Sequence, residues 1–360
     1  DSFLVLQSGR QNFRASARHR RSHGELGSGQ EHFLKAAWYT AFGPAADVLA
    51  TGALSTPEPS EGEVRVRVIA SGVNPVDVKR RAGGRGAMES ERVVPHFDGA
   101  GIVDDIGAGV SSLDKGDRVW LYEAQWQRTL GSASEYIVVP AHLAVPLPET
   151  ASFADGACLG IPALTAHRCV FRDGPVTDET ILVTGGAGAV GHYAVQFAKL
   201  GGARVLTTVS TDDKGELARK CGADAIIRYK DEDVSGRVRE LTDGEGVDRI
   251  VEVEFGGNMT TSLEVLKPNG VIAAYASDAV KEPVLPFYQL LYRNVTLRCE
   301  LVFLMPEEAK RKAVGDITGW LVNNELTHNF GPSFCLDEIV AAHEAVEAGA
   351  FGKVIVQIPD

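Results

Sequence analysis

The chain has 360 residues, 44% hydrophobic and 23% charged, which is enough for two domains with their own cores and excludes a disordered or fibrous protein. Its formal net charge of −12 disfavours nucleic acid and anionic membranes as partners and points to a small molecule. The cysteines (158, 169, 221, 299 and 335) are odd in number, widely spaced and free of any Cys-x-x-Cys, so they suggest neither a disulfide framework nor a zinc knuckle and fit a reducing cytoplasm.

Residues 1–34 carry Arg10, Arg14, Arg18, Arg20 and Arg21 against only Asp1, Glu25 and Glu31. An Arg- and Ser-rich leader can address an organelle, but this one shows little amphipathic periodicity. It is expected to be an extension ahead of a domain that starts near Lys35. From Lys35 to about Gly160 short β-rich runs alternate with Gly and Pro: Val64 to Ala70, Gly99 to Ile106, Arg118 to Tyr122 and Tyr136 to Val139. Period-two runs separated by turn residues predict an antiparallel, barrel-like domain, with 55–62 (STPEPSEG) as a solvated loop.

From about Ile161 strand alternates with helix. Six predicted strands (181–184, 204–208, 225–227, 249–253, 271–274 and 296–301) with helical patterns between them imply a parallel, doubly wound sheet, because parallel neighbours require crossovers. A helix over 306–323, another over 339–348 and a final strand over 353–358 complete the chain. The longest stretch without charge, Thr180 to Ala198, has the length of a membrane span but contains Gly185, Gly186, Gly188 and Gly191. It reads as strand, turn and helix, and no transmembrane segment is predicted.

That stretch holds the strongest local signal. Gly186, Gly188 and Gly191 satisfy G-x-G-x-x-G directly after an apolar strand, with Ala189 and Val190 between the last two. The first glycine permits a tight turn, the second lets N–H groups approach a pyrophosphate, and the third packs helix on strand. A dinucleotide is therefore expected here. NAD enzymes place an acid at the end of the second strand, but this one ends Leu206-Thr-Thr-Val-Ser-Thr211. The choice tilts to NADPH, with Ser210 and Lys214 as candidate partners of the 2′-phosphate and Asp212 and Asp213 as counter-evidence.

Several motifs together resemble one family. Ser71-Gly-Val-Asn-Pro-Val-Asp77, Gly160-Ile-Pro-Ala-Leu-Thr-Ala166, the glycine turn with Gln196 and Lys199 after it, and Gly222-Ala-Asp224 are similar to the zinc-free quinone oxidoreductases of the zeta-crystallin type, in the medium-chain dehydrogenase/reductase superfamily. Ala189 departs from the pattern, since many members have a second consecutive glycine there. The resemblance implies an α/β fold: a GroES-like β-barrel catalytic domain from both chain ends (35–160 and 305–360) and a Rossmann domain (161–304), with the cofactor between them. It also implies that Thr165 lies near the nicotinamide, Tyr229 near the adenosine phosphate, Tyr275 to Ser277 and Leu301 to Phe303 beside the nicotinamide, and that Lys353 reaches the cofactor.

Zinc enzymes of the superfamily carry Cys, His and Cys ligands where this chain has the Asn74 neighbourhood, Phe97 and Ile161, and the four-cysteine lobe is missing. No metal is expected, and His96 reads as a polar loop residue, with His142 and His343 as surface or satisfied structural residues. The expected reaction is zinc-independent hydride transfer from NADPH to a quinone or conjugated carbonyl, whose conjugation spreads the developing charge. An alkenal or enone double-bond reductase is the alternative, and zeta-crystallin relatives that bind RNA or serve as lens proteins keep a non-catalytic reading open. Asn74 is the leading donor on the substrate side, Lys79 a second proton-donor candidate, and Tyr122 and Trp126 a candidate aromatic wall. The sixth strand of the sheet, as an edge, predicts a homodimer, although Arg298 and Glu300 could guard it.

Overall fold

The computed structural model describes residues 32–84, 87–88 and 90–359; of the expected extension, positions 1–31 lie outside the described residues. Strands β1 (Phe33–Trp38) and β2 (Ala50–Ser55), with helix α1 (Ala45–Val48) between them, form an antiparallel ribbon. There follow β3 (Glu63–Val73), α2 (Pro75–Arg81), β4 (Asp98–Ile106), β5 (Arg118–Leu121), β6 (Tyr136–Pro140) and β7 (Ala144–Pro146). The alternation in β3 sorts its side chains as a period of two requires: Val64, Val66, Val68 and Ala70 are buried, Arg65 and Arg67 half-buried.

Helix α3 (Phe153–Phe171) starts at a capping box, where Ser152 Oγ accepts from Asp155 N (3.1 Å) and Asp155 accepts from Ser152 N (2.6 Å). It kinks at Gly160, two residues before Pro162. Then come β8 (Thr180–Val183), α4 (Ala189–Leu200), β9 (Arg204–Val209), α5 (Asp212–Lys220), β10 (Ala225–Arg228), α6 (Val234–Leu241), β11 (Val247–Glu252), α7 (Phe255–Val265), β12 (Leu266–Ala274), α8 (Phe287–Tyr292) and β13 (Thr296–Cys299). The chain returns through α9 (Glu307–Val322), β14 (Phe330–Cys335), α10 (Ile339–Glu347) and β15 (Lys353–Gln357).

Strands β8 to β13 form one parallel sheet in the order β10-β9-β8-β11-β12-β13. This is the doubly wound Rossmann order, whose switch point between β8 and β11 opens a crevice at the carboxyl ends of the strands. Both faces are covered. Ile181, Val183 and Val205 join one core, and their neighbours Leu182, Leu206, Ile250 and Ile272 the other. The second large sheet runs β14-β15-β3-β4-β5-β7, with β6 on β3, so strands from the C-terminal end complete a GroES-like barrel begun near the other end. That return carries Lys353 to β3, beside the start of α2.

Candidate active site

The glycine turn is built as its residue types require, with one change of role. Positive φ falls on Gly185 (+67°), not on Gly186. Gly186 is small because β9 passes close by: a Cβ there would lie 2.0 Å from Thr207 Oγ1. The turn is pinned by Gly185 N donating to Thr208 Oγ1 (3.0 Å) and Gly186 N to Thr208 O (3.1 Å). Gly188 and Ala189 are exposed at the start of α4, Val190 is half-buried, and no side chain caps the helix. A pyrophosphate fits this uncapped N-terminus.

Ala189, Cys158, Pro162, Asn329, Gly352 and Lys353 line one small pocket, which brings the start of α4 and the C-terminal lysine close together. Helix α4 is tied to the returning chain beside this pocket, where His192 Nε2 donates to Thr327 O (2.7 Å) and the Tyr193 hydroxyl meets His328 Nδ1 (2.7 Å). Buried Thr165 lies on α3, one turn past the kink.

Ser210, Lys214 and Tyr229 gather around the ends of β9 and β10. Ser210 is half-buried, Tyr229 is exposed with its N–H bonded to Val209 O (3.2 Å), and Lys214 Nζ stands 5.6 Å from the centre of the Phe351 ring. Asp212 is paired with Arg228 (2.9 Å), so the counter-charge noted in the sequence is partly neutralised.

On the barrel side, four buried groups interlock. Asn74 caps α2, and its N–H donates to Asp77 Oδ2 (2.6 Å). Its side-chain nitrogen donates to Asp98 Oδ2 (2.7 Å), while Lys353 Nζ donates to Asn74 Oδ1 (2.6 Å) and to Asp98 Oδ2 (2.8 Å). Burial, with the Asp98 charge second, pushes the Asp77 carboxyl up to about 7. Asp98 and Asp77 are the functional candidates that sequence reasoning passed over. Asp77 had a signal, the Asn-x-x-Asp spacing of a helix start, and Asp98 had one in being a carboxylate directly ahead of the apolar run 99–103.

Beside Asp98, Phe97 is buried and begins an aromatic stack. Its ring lies 4.7 Å from Phe303, which in turn stacks on Trp126 at 4.3 Å with 7° between planes. The Trp126 loop is fastened by a buried ion pair, Glu123 to Lys310 (2.8 Å). Tyr122 is a correction: it is buried, its ring packs on Trp120, and its hydroxyl donates to His142 O (3.1 Å), so it belongs to the barrel interior and not to a cleft wall. Lys79 pairs with Asp278 (2.6 Å) at an exposed position, linking α2 to the segment after β12. In that segment Tyr275 is half-buried, and the Ser277 hydroxyl is taken by Gly256 N (2.9 Å) and Val280 O (2.5 Å). Leu301 is exposed.

His96 lies in a loop, as expected, but inside the protein. It is fully buried at φ +82°, with Nδ1 2.8 Å from Ser71 Oγ and Nε2 3.0 Å from Nε2 of His343. His343 is equally buried, and its Nδ1 has no partner among the described residues, so it is neither at the surface nor fully satisfied.

Comparison with known proteins matches this layout. Residues 60–149 fit the alcohol dehydrogenase GroES-like domain and residues 189–315 the zinc-binding dehydrogenase family. The chain is 28% identical to the quinone oxidoreductase of Rattus norvegicus over 305 residues, covering 83% of this chain and 90% of that one. It is 32% identical to a 2-haloacrylate reductase of Burkholderia sp. over 232 residues, 63% of this chain and 68% of the relative. The chain belongs to the medium-chain dehydrogenases/reductases, and quinone oxidoreductases are among its relatives. A mycobacterial protein solved in complex with NADPH superposes with a TM-score of 0.80 at 28% identity, over 90% of this chain and 99% of that one.

Proposed function

We propose that this chain is an NADPH-dependent, zinc-independent reductase of quinones or conjugated carbonyls, with NADPH in the crevice between the glycine turn and Lys353. The observation that carries the reading is that the uncapped N-terminus of α4 and the buried Lys353, which is bonded to Asn74, border the same small pocket. NADPH, when bound, supplies the hydride. Gly188, Ala189, Val190 and Gly191 hold the pyrophosphate, Ser210, Lys214 and Tyr229 surround the 2′-phosphate, and Thr165, Tyr275, Ser277, Leu301 and Phe303 border the nicotinamide. Asn74 donates to the acceptor's oxygen, and Phe97, Phe303 and Trp126 keep water from the reacting face.

Although one matched family is described as zinc-binding, Phe97 and Ile161 have no ligand atoms in their side chains, and among the described residues no group of three His, Cys, Asp or Glu side chains is placed to hold a metal. The 2-haloacrylate reductase relative favours a conjugated double bond as a second class of acceptor. Among the described residues no helix is long and apolar enough to cross a membrane, and the acidic charge fits a cytoplasmic enzyme without nucleic-acid partners.

Fluorescence titration is expected to show NADPH binding at least about tenfold tighter than NADH, roughly 1.4 kcal/mol. Lys214→Ala should weaken NADPH and leave NADH nearly unchanged. Equal affinities in the unmodified protein overturn the cofactor assignment.

The protein's assembly is proposed to be a homodimer. Strand β13 is the edge of its sheet, and the two charges that might guard it fold back instead: Arg298 onto Asp173 (2.7 Å) and Glu300 onto Arg172 (2.6 Å). Helix α8, just ahead of it, buries none of its residues and exposes Phe287, Tyr288, Leu291 and Tyr292. Light scattering should report a dimer at micromolar concentration, and Leu297→Pro, which removes a backbone donor, should yield a monomer with weaker NADPH binding. An unmodified monomer contradicts the assembly.

A further inference from the structure

We propose that Asp98 and Lys353 are positioning residues that force the Asn74 amide into one orientation, so that Asn74 can only donate, never accept, toward an acceptor in the crevice. The inference rests on the reductase reading above and deepens it.

An asparagine amide has two ends of nearly the same shape, and left alone it can turn either one outward. Here the neighbours decide. An ammonium has only donors, so the atom facing Lys353 Nζ at 2.6 Å is the carbonyl oxygen. An ionised carboxylate has only acceptors, so the atom facing Asp98 Oδ2 at 2.7 Å is the nitrogen. Reversing the amide would set oxygen against carboxylate and N–H against ammonium at once. All three side chains are buried, so water cannot relieve that mismatch.

Donor accounting gives the consequence. The Asn74 carbonyl is occupied by Lys353, and the amide nitrogen carries two hydrogens but makes one hydrogen bond, to Asp98, among the described residues. Asp77, the other carboxyl nearby, takes the backbone N–H of Asn74 and feels its amide only weakly. With Lys353 on the carbonyl and the carboxylates on the amide nitrogen, a carbonyl oxygen that reaches Asn74 while gaining charge during reduction meets N–H, which stabilises it, where a carbonyl would repel.

Asp98 is itself immobile. Ile161 N donates to its Oδ1 (2.9 Å), Ser132 Oγ donates to its backbone O (2.6 Å), and a Cβ at Gly160 would lie 2.0 Å from Oδ1, so the kink of α3 is shaped around this carboxylate. One acid thus ties together α2, α3 and β15.

A double-mutant cycle with Asn74→Ala and Asp98→Asn, using NADPH and a simple quinone, tests the proposal. Each single variant should lower kcat on the order of 10²-fold with NADPH affinity kept within about threefold, and the double variant should be no more than about twofold slower than Asn74→Ala. Losses that multiply, or an Asp98→Asn enzyme as fast as the unmodified one, overturn the proposal. If Asp98→Asn does not fold, Lys353→Met enters the same cycle, read on kcat at saturating NADPH because Lys353 itself borders the cofactor. A readout without turnover separates this proposal from the reductase reading. In protein labelled with 15N-asparagine, the Asn74 side-chain N–H signals should exchange slowly with solvent, and more than tenfold faster after Asp98→Asn or Lys353→Met. Fast exchange in the unmodified protein refutes the positioning. Slow exchange together with no reduction of any quinone or enone supports the positioning and refutes the reductase reading.

Discussion

Gly191→Ala is expected to abolish detectable NADPH binding and to cost the fold roughly 3 kcal/mol or more, at the upper end for overpacking. The added Cβ would lie 2.2 Å from Gly185 O and 3.0 Å from Gly186 Cα. Both are backbone atoms in a turn held by two hydrogen bonds to Thr208, so neither can yield cheaply. Helix α4 would have to move away from β8, taking its N-terminus with it. Gly188→Ala is the informative contrast. Its Cβ would approach only Gly185 O, at 3.2 Å, on the exposed side of the turn. That variant should keep its thermal midpoint within a few degrees while binding NADPH more weakly, because the methyl group projects where the pyrophosphate approaches. Titration and thermal unfolding on both variants make the check, and a fully stable, NADPH-binding Gly191→Ala protein would contradict the account of the turn.

The sequence disclosed this turn because its information is local: strand, glycines and helix lie within twenty consecutive residues. The six parallel strands were legible for the same reason, each a short β-rich run set between helical patterns. What escaped was set by distant partners. Asp98 shows in its own segment only as a carboxylate ahead of an apolar run; its counter-charge, Lys353, is 255 residues away. Tyr122 and Trp126 sit four positions apart in one loop, yet packing sends the first inside the barrel and the second onto Phe303, a distinction that no periodicity encodes. Arg298 and Glu300 suggested a guarded sheet edge because charge is visible in a sequence and its direction is not. His96 offered no sign of its positive φ, which is rare outside glycine and is upheld by buried hydrogen bonds to Ser71 and His343.

That histidine pair should make the fold acid-labile. The two Nε2 atoms are 3.0 Å apart, so one ring donates and the other accepts; a proton on the accepting nitrogen would set two N–H groups face to face. Burial first, and then the His343 and Lys353 charges, hold His96 well below the usual imidazole range, while burial and the nearby Arg81 push His343 down to about 3. His192, on α4, is lowered to about 4, chiefly by burial. Each of these groups has a folded pKa below its unfolded value near 6.5, so the unfolded chain binds more protons in between. Stability from them is fully present above pH 6.5 and is lost as pH falls toward their folded values, His343 alone accounting for something on the order of 3 kcal/mol by pH 4. Asp77 works in the opposite sense. Its carboxyl is raised from 3.8 to about 7, so its contribution is present below pH 4 and is lost as pH rises through 7, which partly offsets the histidines over the same window. His343→Gln, which keeps a hydrogen-bonding group toward His96, should therefore flatten the decline in urea midpoint between pH 7 and pH 4.5. Asp77→Asn should steepen it, because it removes the offset. Midpoints that fall in parallel for the unmodified protein and both variants would show that these buried groups do not govern its acid stability.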